Sequence, residues 1–285
     1  MSTILTGVGI LAGVSLVLAG LISLCYLKLR VWEDPRIETV AKMLPGANCG
    51  ACGFPGCRGL AEQIVLRTAK PASCTVSTQD GRDDIAEYMG IDAGEAVKRV
   101  ARVMCGGGTD VARRRVEYHG LESCAAAVAV SGGGKACTWG CIGFADCAVA
   151  CSFDAIRMTE TSLPLVDPDK CTACGDCVSA CPQGLFTILP LDAHLFVQCR
   201  SLLEGQEATA ACQVACNACG RCAADAAPGL VHMQMGGRLP VVDYSKIKLE
   251  NVKAIRRCPT GAIVWIDGHQ FAGAGIRSEL VGNLQ

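Results

Sequence analysis

Large ring side chains are scarce in this chain: aromatic residues fill only 5% of its 285 positions, too few to build one large conventional hydrophobic core. Histidine occurs four times, at His119, His194, His232 and His269, and none stands at ligand spacing from another. A surplus of either charge is missing too. Lys and Arg total 26 against 27 Asp and Glu, a net charge of -1, which excludes bulk nucleic-acid binding by a basic surface. No nucleophile–base set or carboxylate pair stands out. The glycine triplets at 106–108 and 132–134 complete neither G-x-x-x-x-G-K-[ST] nor G-x-G-x-x-G and are read as turns. What the chain has in place of these features is 21 cysteines within a 51% apolar composition. It is far too long for a short disulfide scaffold, so spacing and compartment must decide between disulfides and metal.

Residues 4–27 contain no charged side chain, and 24 residues rising about 1.5 Å each exceed a hydrocarbon core of about 30 Å. We read residues 1–28 as a retained transmembrane anchor, because neither a basic start nor an A-x-A-like cleavage site marks a signal peptide. Lys28, Arg30 and Arg36 follow the span and nothing basic precedes it, which puts the remainder on the cytoplasmic side of a single-pass inner-membrane protein. That compartment is reducing and favours metal ligation over disulfides. Gly9 and Gly13 form a G-x-x-x-G that either allows close packing on another membrane helix or reflects the abundance of glycine in such spans.

Beyond the anchor, residues 29–80 read as a compact unit in which helices over 36–44 and 59–70 flank a cysteine-rich loop, and residues 81–104 read as a linker helix. From 105 onward, short apolar segments at 163–166, 240–242 and 262–266 alternate with cysteine runs and glycine turns, an α+β pattern. A C-x12-C-x3-C spacing occurs at Cys124, Cys137 and Cys141 and again at Cys199, Cys212 and Cys216. VDPDKC at 166–171 is echoed by VDYSKI at 242–247, and Cys181-Pro182 by Cys258-Pro259. The expected organisation is two tandem copies, 105–190 and 191–268, with a tail over 269–285.

CTACGDCVSACP at 171–182 is C-x2-C-x2-C-x3-C-P, the bacterial ferredoxin run in which three thiolates hold one [4Fe-4S] cluster and the cysteine before proline ligates another. A zinc site would show two separated C-x2-C pairs. The crossed rule assigns one cluster to Cys171, Cys174, Cys177 and Cys151, and a second to Cys137, Cys141, Cys147 and Cys181. Phe144 stands where a regular run would place the middle cysteine of the second set, and Cys137 is taken to supply that thiolate. In the second copy Ala226, Asn251, Ala254 and either Lys248 or Ile247 occupy all four ligand positions of one cluster, leaving one expected cluster on Cys216, Cys219, Cys222 and Cys258. CGACGFPGC at 49–57 with Cys74 predicts a fourth, on Cys49, Cys52, Cys57 and Cys74. Of the other five, Cys25 lies in the span as a small apolar residue, and Cys105, Cys124, Cys199 and Cys212 are read by default as buried thiols, with alternative ligands or redox pairs left open.

A single span followed by CGACGFPGC with Cys74, CTWGCIGFADC and CTACGDCVSACP resembles the B component of the Rnf (also called Rsx) membrane electron-transport complexes, over residues 1–268. The second copy resembles the longer forms of that component. The resemblance implies an α+β chain: one transmembrane helix, a small helical [4Fe-4S] domain and tandem ferredoxin-like domains, the second degenerate. It also implies a component that takes electrons from reduced ferredoxin and relays them to membrane partners of a complex reducing NAD+ with Na+ or H+ translocation. Three other readings use the same residues: a sensor-reducing complex, a conduit for another membrane redox enzyme, and a zinc-bearing interaction protein.

Overall fold

The computed structural model describes residues 2–29, 33–95, 97–234, 236–271 and 275; Arg30 and residues 276–285 lie outside the described residues. Helix α1 (Ser2–Leu29) is apolar on every side and leaves Val8, Leu16, Ile22 and Leu24 exposed. Its segment Thr6–Lys28, 23 residues, is long and apolar enough to cross a membrane, which would shield surface that no other part of the chain covers.

Three helices follow. Asp34 caps α2 (Pro35–Met43) by accepting from the Arg36 amide at 2.9 Å, and Pro35 opens the first turn. Helix α3 (Gly56–Val65) and helix α4 (Gln79–Met89) pack against it around Val40, Leu60, Ile64 and Ile85, all fully buried. Each such side chain contributes about 1.5–3 kcal/mol. Two expectations are corrected here. Helix α3 starts and stops earlier than 59–70, with Arg67 at φ 61° turning the chain out of helical geometry. The linker helix expected over 81–104 ends at Met89, because Gly90 at φ 60° closes it by donating to the Ala86 and Glu87 carbonyls. Arg99–Val103 then form strand β1, not helix, and bury Val100 and Val103.

The rest is two copies of one plan. In the first, β1 pairs antiparallel with β4 (Phe186–Pro190), enclosing α5 (Cys124–Ser131), α6 (Asp146–Val149), the hairpin β2 (Ile156–Met158) and β3 (Pro164–Val166), and α7 (Asp176–Ala180). In the second, β5 (Leu195–Val197) pairs with β8 (Ile263–Trp265), enclosing α8 (Gly205–Ala211), α9 (Arg221–Asp225), the hairpin β6 (Val231–Gln234) and β7 (Leu239–Val242), and α10 (Lys253–Arg256). The first copy therefore begins at β1 rather than at 105.

The copies are fused. Met104, Leu189, Phe196 and Ile266 share one apolar cluster, and the Arg102 guanidinium lies 5.4 Å from the Phe196 ring centroid while donating to the Gly268 carbonyl at 2.9 Å. Gln270, expected in a tail, is instead a clasp: its amide accepts from Val103 N at 3.1 Å and donates to Val103 O at 2.6 Å, completing the open edge of β1. Gln270→Ala leaves both buried backbone groups unpaired, and a loss of about 1–3 kcal/mol in chemical denaturation is expected.

Candidate metal centres

Asn48 shapes the first cysteine loop. Its side-chain oxygen accepts from the Cys57 amide at 2.9 Å, and a Cβ on Gly56 would lie 2.9 Å from that same oxygen, so only glycine fits. The closed loop delivers Cys49, Cys52 and Cys57, and the turn Pro71–Ser73 returns Cys74, so that all four line a cavity of about 300 Å³.

In the first copy, Ala173 at φ 58° and Gly175 at φ 93° bend the loop that carries Cys171, Cys174 and Cys177. Cys151 joins them from the end of α6. Burial, reinforced by Cys171, Cys174 and Cys151, pushes the Cys177 thiol up to about 12. Backbone amides reach these sulfurs, from Ala101 to Cys171 at 3.5 Å and from Ala155 to Cys151 at 3.4 Å.

The second set of this copy departs from the spacing rule. A cavity of about 370 Å³ is lined by Cys141, Cys147 and Cys181 together with Cys124, not Cys137. Asp146 positions Cys124: its carboxylate accepts from the Cys124 amide at 2.9 Å, the Ala125 amide at 3.1 Å and the Ser123 hydroxyl at 3.0 Å, pinning the start of α5 beside Cys147. Burial raises the Cys141 thiol to about 12 and Cys147 higher still, with Cys124 and Cys181 adding to both. Phe144 packs against Cys124 and Ile142, which places a sulfur from a helix upstream beside the position where the run lacks one.

The repeat register is corrected with it. Cys105 follows β1 as Cys199 follows β5; Cys105 Sγ accepts from Cys141 N at 3.4 Å, as Cys199 Sγ does from Cys216 N at 3.3 Å. The structural counterpart of Cys199 is thus Cys105, not Cys124 as the C-x12-C spacing suggests.

Cys216, Cys219, Cys222 and Cys258 line a cavity of about 320 Å³ in the second copy. Burial raises Cys258, but amides of Ile263, Thr260 and Ala262 and the Thr260 hydroxyl outweigh it and hold this thiol below its ordinary value. Where the first copy has Cys177, Ala254 is buried in an apolar core that Ala226 also joins. Four cysteines line each of these three cavities, an all-thiolate donor set that fits a [4Fe-4S] group.

Residues 44–76 match the family model described as "Putative Fe-S cluster", and residues 164–187 match the 4Fe-4S binding domain. The B component of the Na(+)-translocating ferredoxin:NAD(+) oxidoreductase complex of Acetobacterium woodii is 43% identical over 216 residues, 76% of this chain and 65% of that protein, just under two thirds of its length. The B component of the ion-translocating oxidoreductase complex of Methanosarcina acetivorans is 36% identical over 230 residues, 81% of this chain and 85% of that relative. The chain belongs to this family of B components. The corresponding component of the proton-translocating ferredoxin:NAD(+) oxidoreductase complex of Clostridium ljungdahlii agrees, at 34% over 232 residues and 81% of each chain. Within this family member the two matched domains enclose the Cys49–Cys74 loop and the 171–182 run.

Proposed function

We propose that this chain is a membrane-anchored electron relay, accepting electrons from reduced ferredoxin and passing them to membrane partners in a complex that reduces NAD+ with Na+ or H+ translocation. The observation that carries this reading is the series of cysteine-lined cavities on one chain behind a helix long and apolar enough to cross a membrane. The thiolates of Cys49, Cys52, Cys57 and Cys74, of Cys151, Cys171, Cys174 and Cys177, of Cys124, Cys141, Cys147 and Cys181, and of Cys216, Cys219, Cys222 and Cys258 would each hold a [4Fe-4S] group. When bound, these groups supply one-electron redox chemistry. The chain's own part is to exclude water around the sulfurs, to direct backbone N–H groups at them and to release thiol protons on loading. Lys28 and Arg36 after the span favour cluster domains on the cytoplasmic side, where soluble ferredoxin is available.

Arg113, Arg114 and Arg115 are consecutive, exposed and line an open groove with Ala136 and Ala211, next in sequence to Cys137 and Cys212. An acidic donor protein suits that surface. Membranes lacking this chain are expected to lose ferredoxin-dependent NAD+ reduction, and retained activity would refute the relay. Reversing all three arginines to glutamate should slow reduction by ferredoxin by about tenfold at low salt, with the difference shrinking at high salt. Reduction by dithionite should be unchanged.

A further inference from the structure

Two cysteines from each copy remain outside the four sets: Cys105 and Cys137 from the first, Cys199 and Cys212 from the second. All four are buried and line a single cavity of about 350 Å³ between the copies. That volume falls inside the range of about 300–370 Å³ set by the three cysteine-lined cavities described above. The space among these four sulfurs thus resembles the other three cysteine-lined sites.

Gly106 N donates to Gln198 O at 2.9 Å, Arg113 N to Ala211 O at 3.0 Å and Gln213 N to Val111 O at 3.0 Å, fixing the two copies to each other around the cavity. A Cβ on Gly107 would approach Cys212 Sγ to 3.1 Å, so a glycine here lets the backbone pass close to the sulfur without crowding it. Each copy contributes the same pair: a cysteine just past its outer strand, and one preceding Cys141 or Cys216 by the same interval.

Lys135 is an independent pointer. Only 4% exposed, it lines the cavity and donates to the Gly107 carbonyl at 2.8 Å. Among the described residues it has no carboxylate partner. A buried ammonium needs a countercharge, and four thiolates around an iron–sulfur cube leave a net negative charge in the space that Lys135 faces.

We propose that Cys105, Cys137, Cys199 and Cys212 hold a fifth [4Fe-4S] cluster, shared between the copies, which carries electrons between the Cys141 set and the Cys216 set. Loading forms four iron–thiolate bonds and releases four thiol protons. In transfer, one electron leaves the reduced neighbour, which is oxidised, and reduces this cluster before passing to the other copy; no atom moves. The hydrogen bonds from Cys141 N to Cys105 Sγ and from Cys216 N to Cys199 Sγ tie this site to a ligand of each flanking set. The site deepens the relay reading and rests on it for its neighbours.

The test is iron, acid-labile sulfide and zinc content of the full chain, purified and reconstituted without oxygen. Wild type is expected to bind about twenty irons per chain, and Cys105→Ser/Cys199→Ser about sixteen. Lys135→Met should keep about twenty irons while shifting the midpoint of one redox transition and leaving the others in place. Saturation at about sixteen irons in wild type, zinc in this cavity, or equal iron in wild type and double variant would overturn the proposal. Failure of the relay itself reads differently: iron then falls short of sixteen whatever stands at Cys105 and Cys199. Should the double variant fail to fold, the wild-type count and the Lys135→Met titration decide.

Discussion

Removing iron from the intact chain is expected to unfold residues 99–266 while the helices over 35–89 keep much of their structure. Both copies are built from two-stranded sheets whose strands run three to five residues, from α6, α7, α9 and α10 with four or five residues each, and from α5 and α8 with eight and seven. Neither a lone hairpin nor a one-turn helix is stable in water. Their cores contain cysteine as a structural member: Cys141, Cys147 and Cys177 in the first copy, Cys199, Cys212, Cys216 and Cys222 in the second. Without metal these sulfurs line voids, and burial keeps them protonated, with Cys199 near 12 and Cys222 near 11. Structural metal sites supply on the order of 10 kcal/mol to small domains. The N-terminal helices enclose Cys74 too, but around Val40, Leu60, Ile64 and Ile85 on helices of nine to eleven residues, so they are expected to depend on iron less. Limited proteolysis of the chelated chain should therefore cut first within 99–266. Equal protection of both regions would mean that the short strands and apolar contacts suffice.

The second large effect separates Cys124 from Cys137. Cys124→Ala should remove about four irons and the redox transition of the cluster on Cys141, Cys147 and Cys181. Cys137→Ala should leave that transition in place. The spacing assignment, in which Cys137 is the ligand and Cys124 a buried thiol, demands the reverse. Iron analysis with a spectroscopic redox titration of the two variants decides between them. Asp146→Ala is the milder companion, since Asp146 holds the Cys124 amide at 2.9 Å and lines the cavity but supplies no sulfur.

The split between what could and could not be read along the chain follows from distance. Cys171, Cys174 and Cys177 lie within one short loop, where local geometry fixes which way three sulfurs point. The same holds for Cys49, Cys52 and Cys57. The degeneracy of the second copy was also readable, because Ala226, Asn251 and Ala254 depart together. Cys124 was not, since its reach depends on where α5 is pinned by a carboxylate far along the chain. One signal in the sequence pointed the same way: Cys137 precedes Cys141 as Cys212 precedes Cys216, and Cys212 had no place in the set of Cys216. Strand β1 was hidden because RVARV, at the end of a charged stretch, fits a helical face equally well until β4 offers its edge.

By itself, then, the sequence determined the apolar segment long enough to span a membrane, the family, the iron–sulfur character and the tandem plan, each carried by a continuous run or a short spacing. Only the tertiary structure decided which sulfurs face one another across α5, that Gln270 folds back on Val103, and that two pairs of cysteines from different copies enclose a common cavity. Ligand sets that close within a loop are local chemistry. Those that close between copies are set by how the copies pack, and no spacing along one chain encodes that.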